Sequence, residues 1–199
     1  MSYDNTGKIR TKKALIRKEK LSLRHALSAD ECAKKSKMIC ESFLESRDYK
    51  NADTILLYKA YNNEVDTDLI FTRALSDGKT VAYPRSRMVD GEPDLTFYVI
   101  EDQGQLKEGF KGIPEPDEDS DAKVFCGKAD ICIAPGVAFD RKCHRIGYGK
   151  AFYDRYIRLN EPRKVIGFAY DIQMADDFEP EENDRPANMV ITDIAVYER

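Results

Sequence analysis

The chain has 199 residues, 42% of them hydrophobic and 34% charged, with a formal net charge of −4. That length suits one domain with a real core, and so weak a negative charge argues against a general nucleic-acid binder. Five cysteines without CxxC spacing and only two histidines argue against a disulfide scaffold and a Cys/His zinc site. No apolar run has the length of a membrane span or the form of a signal peptide. A cytoplasmic protein is expected, monomeric because no long apolar stripe is left over, with residues 1–10 a candidate disordered lead.

In chain order, residues 8–27 read as a helix, with Ile9, Ile16 and Leu23 recurring at seven and Leu27 following four later. Beside that apolar stripe runs a cationic one, Lys13, Arg17, Lys20 and Arg24, expected to border the buried face. Residues 8–24 hold eight basic side chains against one acid, Glu19, while acids gather at 115–121 and 176–184. Such segregation suits an anionic ligand, and equally a set of solvated faces.

Ser28 and Glu31 of "SADE" form a capping box that opens a second helix, expected to run to about Arg47. "DTILLY" (53–58) is a strand, the polar turn "NNEVDT" follows, and "DLIFTRAL" (68–75) is a helix closed by Gly78. "KTVAYP" (79–84) and "LTFYVI" (95–100) are strands, and a loop rich in Gly, Pro and acids covers about 101–128. "ADICIAPG" (129–136) is a strand of the fully buried kind. "GKAFYDRYIRL" (149–159) is a helix, "KVIGFAY" (164–170) a strand, and "NMVITDIAVYE" (188–198) one or two more. Short apolar strands alternating with helices predict an α/β fold in one domain: an open, mostly parallel sheet flanked by helices, Rossmann-like and three-layered. In such sheets the ligand lies at the carboxyl ends of the strands, so residues that follow strands are the candidates.

"APGVAFDRKCHRIGYGKAFYDRY" follows the most apolar strand. Gly147 and Gly149 can bring backbone N–H groups close to an anion, with Arg145 and Lys150 on either side. The stretch matches neither a Walker A loop nor a dinucleotide fingerprint, so on local grounds a phosphate cradle and a plain strand–loop–helix turn remain open. Asp154 suits Mg²⁺ beside a phosphate, or merely favours a helix start. Glu64, just past a strand, can accept N–H donors of a heterocycle, or is a surface turn acid. Arg85 of "YPR" ends another strand, and nothing local separates Asp184 from Glu182 or Asp177. Phe139, Phe152 and Tyr153 can stack on a ring or pack in the core, and His144 reads as an incidental exposed histidine.

Together, "PGVAFDRKCHRIGYGKAFYDRY" (135–156), "KALIR" (13–17), "NEVDT" (63–67), "YPR" (83–85), "GIPEP" (112–116) and "END" (182–184) resemble, in order and spacing, the motifs of the 5-formyltetrahydrofolate cyclo-ligase (5,10-methenyltetrahydrofolate synthetase) family. The family usually has glycine where this chain has Cys143 and Ala151. Cys143 implies a position with no need of a positive φ, and Ala151 only adds a methyl to a helix start.

The resemblance implies cyclisation of 5-formyltetrahydrofolate to 5,10-methenyltetrahydrofolate, driven by ATP with Mg²⁺ and releasing ADP and phosphate. It implies that Lys13 and Arg17 bind the nucleotide phosphates, with Arg85 a weaker candidate. Arg145, Ile146, Gly147, Tyr148, Gly149, Lys150 and Tyr153 would hold ATP, with Arg145 and Lys150 acting on the transferred group. Lys59, Glu64, Tyr148 and Phe152 would hold the folate, and Asp154 and Asp184 the metal. Partners would be small molecules, with no nucleic acid and no membrane. Two rivals are an ATP-dependent kinase or ligase acting on another metabolite, and a non-catalytic nucleotide- or folate-binding regulator.

Overall fold

The computed structural model describes residues 3–117 and 119–199. Met1 and Ser2 of the candidate disordered lead, and Glu118 of the acidic loop, lie outside the described residues. Helix α1 (Tyr3–His25) comes first, starting ahead of the boundary that its periodicity suggests. Helix α2 (Ala29–Glu45) opens on the expected capping box: the Ser28 hydroxyl accepts from Glu31 N–H, and the Glu31 carboxylate accepts from Ser28 N–H at 2.9 Å. It stops short of Arg47, because the Ser46 hydroxyl accepts from Tyr49 N–H and starts the short α3 (Arg47–Asn51).

Strand β1 (Thr54–Leu56), helix α4 (Asp68–Ser76) and strand β2 (Thr80–Val89) follow. Strand β2 runs five residues past the expected end and turns back into β3 (Glu92–Val99) through Asp90 and Gly91, whose φ values are 51° and 82°. Two successive positive φ values make the tight turn that matches strand twist, and the signal for it, Asp-Gly, stands in "VDGEP". The stretch expected as bare loop carries a small hairpin, β4 (Leu106–Glu108) with β5 (Pro114–Pro116). Next come β6 (Ile131–Ala134), the two-residue pair β7 (Ala138–Phe139) and β8 (Arg145–Ile146), helix α5 (Phe152–Asn160), β9 (Lys164–Phe168), β10 (Met189–Ile191) and β11 (Val196–Glu198).

Seven strands form one sheet in the order β11-β10-β9-β6-β1-β2-β3. The pairs β10–β9, β9–β6, β6–β1 and β1–β2 are parallel, and only the outer pairs, β2–β3 and β10–β11, are antiparallel. Both faces of the parallel centre are covered, so its strands read as unbroken apolar runs. Alternate residues then serve different cores. Ile55, Ile131, Ile133 and Ile166 pack with Ile39 and Phe43 of α2 and Ile70 of α4. Leu56, Cys132, Ala134 and Val165 pack on the other face with Tyr156 and Ile157 of α5. The result is the expected three-layer α/β domain. No described helix is long and apolar enough to cross a membrane.

From β1 the chain moves outward to β2, and from β6 it moves the opposite way to β9. The crevice at the carboxyl ends of β1 and β6 is therefore the topological switch point, where ligands of open α/β sheets bind. Helix α1 packs against β7 and the 3₁₀ turn Asp171–Gln173. This overturns one expectation in part: Ile16 and Leu27 of the apolar stripe pack against core clusters, but Leu23 is 42% exposed, and Arg24 and Lys13, expected only to border the buried face, are buried. Lys13, Arg17 and Arg24 meet carboxylates and carbonyls there, which is why cations take those positions.

Candidate active site

A cleft of about 940 Å³ opens between α1, the turn after β1, the β4–β5 hairpin and the loop that runs from β8 into α5. The loop is the part with most chemistry. Arg145 leaves β8 with 4% of its side chain exposed, donates from Nη2 to Asp154 Oδ1 at 2.9 Å and from Nη1 to the Pro135 carbonyl at 3.3 Å, and lies 5.8 Å from the Tyr153 ring centroid. Its Nε has no partner among the described residues, nor has the buried Tyr153 hydroxyl. Past Arg145, no backbone N–H from Gly147 to Ala151 donates to a described group, while Arg17 Nε binds the Gly147 carbonyl at 2.8 Å and so pins the loop to α1. Lys150 is exposed at the cleft edge and makes no ion pair among the described residues. A run of open N–H donors between two cations is a nest for an anion.

At the other end of the cleft stands Glu64. It is 8% exposed, its Oε2 accepts from Tyr61 N–H at 3.1 Å, and Arg24 lies 3.8 Å from its Oε1. Burial pushes its carboxyl up to about 7, although Arg24, Tyr61 N–H and Tyr148 pull the other way. The surface-acid alternative for Glu64 is therefore wrong. A carboxylate this dry binds N–H donors strongly, because little water competes for it. Lys59 lines the same end, tied to Asp68 of α4, and Tyr148 is 39% exposed, its ring in a T-shaped contact with that of Tyr61, centroids 6.3 Å apart. Phe152 sets an edge against Phe110 of the hairpin, a neighbour the sequence did not single out.

Lys13 and Asp184, expected to serve different parts of a ligand, meet each other: Lys13 Nζ donates to Asp184 Oδ2 at 2.6 Å and to Glu181 Oε1 at 3.1 Å. Glu181, which also accepts from Arg10 at 2.9 Å, is a second residue that sequence reading missed. Among the described residues no three His, Cys, Asp or Glu side chains gather as a metal cage. Asp154 and Asp184 both line the cleft, and Asp154 Oδ2 and Asp184 Oδ1 accept no described hydrogen bond. That suits Mg²⁺, which takes one or two carboxylates and completes its shell with phosphate oxygens and water.

Three expectations need correcting. Ile146 is 1% exposed and packs with Ala138 and Phe178, so its side chain does not reach the cleft. Arg85 also lies outside the lining, donating to the Pro116 carbonyl at 2.6 Å. His144 is not an exposed bystander: its Nδ1 lies 2.9 Å from Oδ2 of the fully buried Asp140, which also accepts the N–H groups of Lys142, His144 and Phe178. That knot fixes the loop ahead of Arg145. Phe139, wholly buried, is core; its ring leaves no room for a Cβ at Gly136, which would sit 2.5 Å away.

The family model described as the 5-formyltetrahydrofolate cyclo-ligase family matches residues 9–193, which include every residue lining this cleft except Thr6. The chain belongs to that family. It is 30% identical over 149 residues to the 5-formyltetrahydrofolate cyclo-ligase of Escherichia coli strain K12, covering 74% of this chain and 81% of that one. To the probable cyclo-ligase of Caenorhabditis elegans it is 28% identical over 169 residues, 79% and 81% of the two chains. Among solved structures, the NMR structure of Aquifex aeolicus 5,10-methenyltetrahydrofolate synthetase superposes with a TM-score of 0.80 at 27% identity, over 94% of this chain and 92% of that one. The synthetase of Mycoplasma pneumoniae gives 0.68 at 26% identity, over 91% and 98%.

Both places where this cyclo-ligase family member departs from the expected glycine prove to need a left-handed backbone. Cys143 has φ 61° and Ala151 has φ 55°, so the expectation that position 143 has no such need is overturned. Ala151 caps α5 from outside, which is why the helix begins at Phe152 and not at Gly149. A side chain in that region costs about 1–2 kcal/mol, and glycine's extra chain entropy gives back about 0.5–1 kcal/mol. Ala151→Gly should therefore raise stability by about 0.5–1 kcal/mol and Tm by about 1–4 °C. Cys143→Gly should lower stability, because it also strips a fully buried side chain worth about 1–2 kcal/mol. Paired thermal melts decide this: a stabilised Cys143→Gly or a destabilised Ala151→Gly would contradict it.

Proposed function

We propose that the protein converts 5-formyltetrahydrofolate into 5,10-methenyltetrahydrofolate at the expense of ATP, releasing ADP and phosphate, with the whole chain acting as one cyclo-ligase domain. What supports this reading most is the pairing, across one cleft, of an open N–H nest flanked by Arg145 and Lys150 with a buried carboxylate, Glu64. The nest suits a polyphosphate and the carboxylate suits the N–H edge of a pterin. At about 940 Å³ the cleft is at the roomy end of small-molecule sites, as two substrates side by side require.

A formamide oxygen is a poor leaving group. Its attack on the γ-phosphorus forms an O–P bond and expels ADP, and N10 then attacks the activated formyl carbon. The C–O bond breaks, the former formyl oxygen departs in phosphate, and the N10 proton balances as hydrogen phosphate. The chain's work in these steps is positioning and charge neutralisation. Arg145, Lys150 and the Gly147–Ala151 N–H groups hold the transferred phosphoryl, and Lys13 and Arg17 steady the nucleotide. Tyr153 borders the nucleotide, while Glu64, Lys59, Tyr148 and Phe152 hold the folate. Asp154 and Asp184 would hold Mg²⁺, which when bound supplies further positive charge at the phosphates. Lys13 reaches that role by sharing itself with Asp184 and Glu181. Five free cysteines support a reducing, cytoplasmic setting, and the proposal is of a monomer acting on small molecules, without nucleic acid or membrane.

The test mixes purified protein with 5-formyltetrahydrofolate, ATP and Mg²⁺ and follows the near-ultraviolet absorbance of the methenyl product. Product is expected only when all three are present. ATP binding without product would instead mark a regulator, and ATP hydrolysis dependent on a different metabolite would mark another ligase.

A further inference from the structure

Arg24 has no exposed surface and stands in the last turn of α1. Its Nη1 donates to the Gly136 carbonyl at 3.2 Å and lies 3.8 Å from Glu64 Oε1, its Nη2 donates to the Tyr148 hydroxyl oxygen, and its Cζ sits 5.8 Å from the Tyr148 ring centroid. The Gly136 carbonyl is held in turn by Gln173 Nε2 at 2.9 Å, so the guanidinium hangs from a fixed point at the carboxyl end of β6. The turn carrying Glu64 is tied to the same helix end. Asn63 Nδ2 donates to the Arg24 and Leu27 carbonyls at 3.3 and 3.1 Å, from a turn in which Asn62 and Asn63 have φ of 49° and 58°.

We propose that Arg24 is a positioning residue, which holds the Glu64 carboxylate as an anionic acceptor and the Tyr148 ring against it, so that the folate end of the cleft is assembled before substrate arrives. The inference rests on the reading of Glu64 as the folate's partner. A separation of 3.8 Å is longer than a direct charge-assisted hydrogen bond. Arg24 therefore supplies field and alignment to Glu64 and leaves Oε1 open to a ligand donor. A planar fork reaches Gly136, Tyr148 and Glu64 at once; a lysine carries the charge without the reach. Glu64 is faced by Arg24 from α1, Tyr148 from the glycine loop, Tyr58 from the end of β1 and Tyr153 from α5. Of these only Arg24 is charged, so its removal takes away the one cation among the described groups that opposes burial and moves Glu64 toward its neutral form.

The experiment uses the full chain with Arg24→Met and Arg24→Lys. It records kcat and KM for the folate across pH, together with the Glu64 carboxyl resonance titrated by ¹³C NMR in ligand-free protein. In the wild type, kcat/KM should rise with pH through a midpoint near 7, because the ionised carboxyl is the binding form. In Arg24→Met both the rate midpoint and the Glu64 resonance should move up by about one pH unit or more, lowering kcat/KM at neutral pH by about five- to tenfold. Arg24→Lys should bring the midpoint back toward wild type while KM stays raised, since Tyr148 and Gly136 are no longer held together. A folded Arg24→Met with wild-type midpoints would overturn the proposal. If that variant does not fold, Arg24→Lys decides: an unchanged KM overturns it and a raised KM supports it. A wild type without turnover refutes the proposed reaction, and the Glu64 titration still judges Arg24.

Discussion

Lys150→Ala should lose on the order of 10²–10³ in kcat, the usual cost of removing one donor from a site where charge develops. Its Tm and denaturant midpoint should match the wild type. The two halves of this expectation come from the same observation. Lys150 is exposed and makes no ion pair among the described residues, so folding does not use its charge, and surface changes of this kind stay within about 0.5 kcal/mol. Yet it directly follows Gly149, φ 86°, in the loop whose N–H groups from Gly147 to Ala151 donate to no described group. A lysine with no ion pair among the described residues, beside an open anion nest, is available for a phosphate. Arg145 would be a poorer probe, because its truncation also removes a partner of Asp154, leaving it the Arg185 N–H, and a donor to the Pro135 carbonyl. Steady-state kinetics beside a thermal melt decide the matter; an Ala variant with wild-type kcat removes Lys150 from the chemistry.

Glu64→Gln should change how stability depends on pH. In the folded protein burial raises the Glu64 carboxyl from 4.5 to about 7. Between those values the folded state keeps a proton that the unfolded chain has released. Stability therefore falls as pH rises through that window and levels off above it. Each unit of difference is about 1.4 kcal/mol, so between about pH 5 and pH 8 the wild type should lose about 2–3 kcal/mol more than Glu64→Gln does. Urea unfolding of both proteins at the two pH values measures this directly. Parallel pH dependence would mean that Glu64 is not buried as a strained anion. The same variant should bind folate poorly, as glutamine offers a pterin edge one neutral acceptor in place of a carboxylate.

The stretches that local chemistry governs were readable along the chain. The Ser28–Glu31 capping box closed as expected, because both partners lie within one helical turn. The strands at 53–58, 129–136 and 164–170 showed as apolar runs, because both of their faces are covered by other layers. Asp90–Gly91 signals the hairpin from β2 to β3 equally well, but the exposed end of β2 has no apolar alternation to announce it as strand. The start of α5 was misplaced by the left-handed backbone at Ala151, which nothing about alanine signals, whereas its end fell within one residue of the expected one.

The sequence by itself determined the α/β order of elements, the family and the members of the glycine loop, because periodicity, capping and motif spacing are properties of neighbours in the chain. It could not rank Glu64 above a surface acid, bury Arg24 and Lys13, or tie Lys13 to Asp184 across a separation of 171 residues. Those facts belong to the tertiary structure. Burial and ion pairing depend on every element that packs around a charge, and in this fold α1 is laid, Lys13 and Arg24 inward, across strand ends that come from distant parts of the chain.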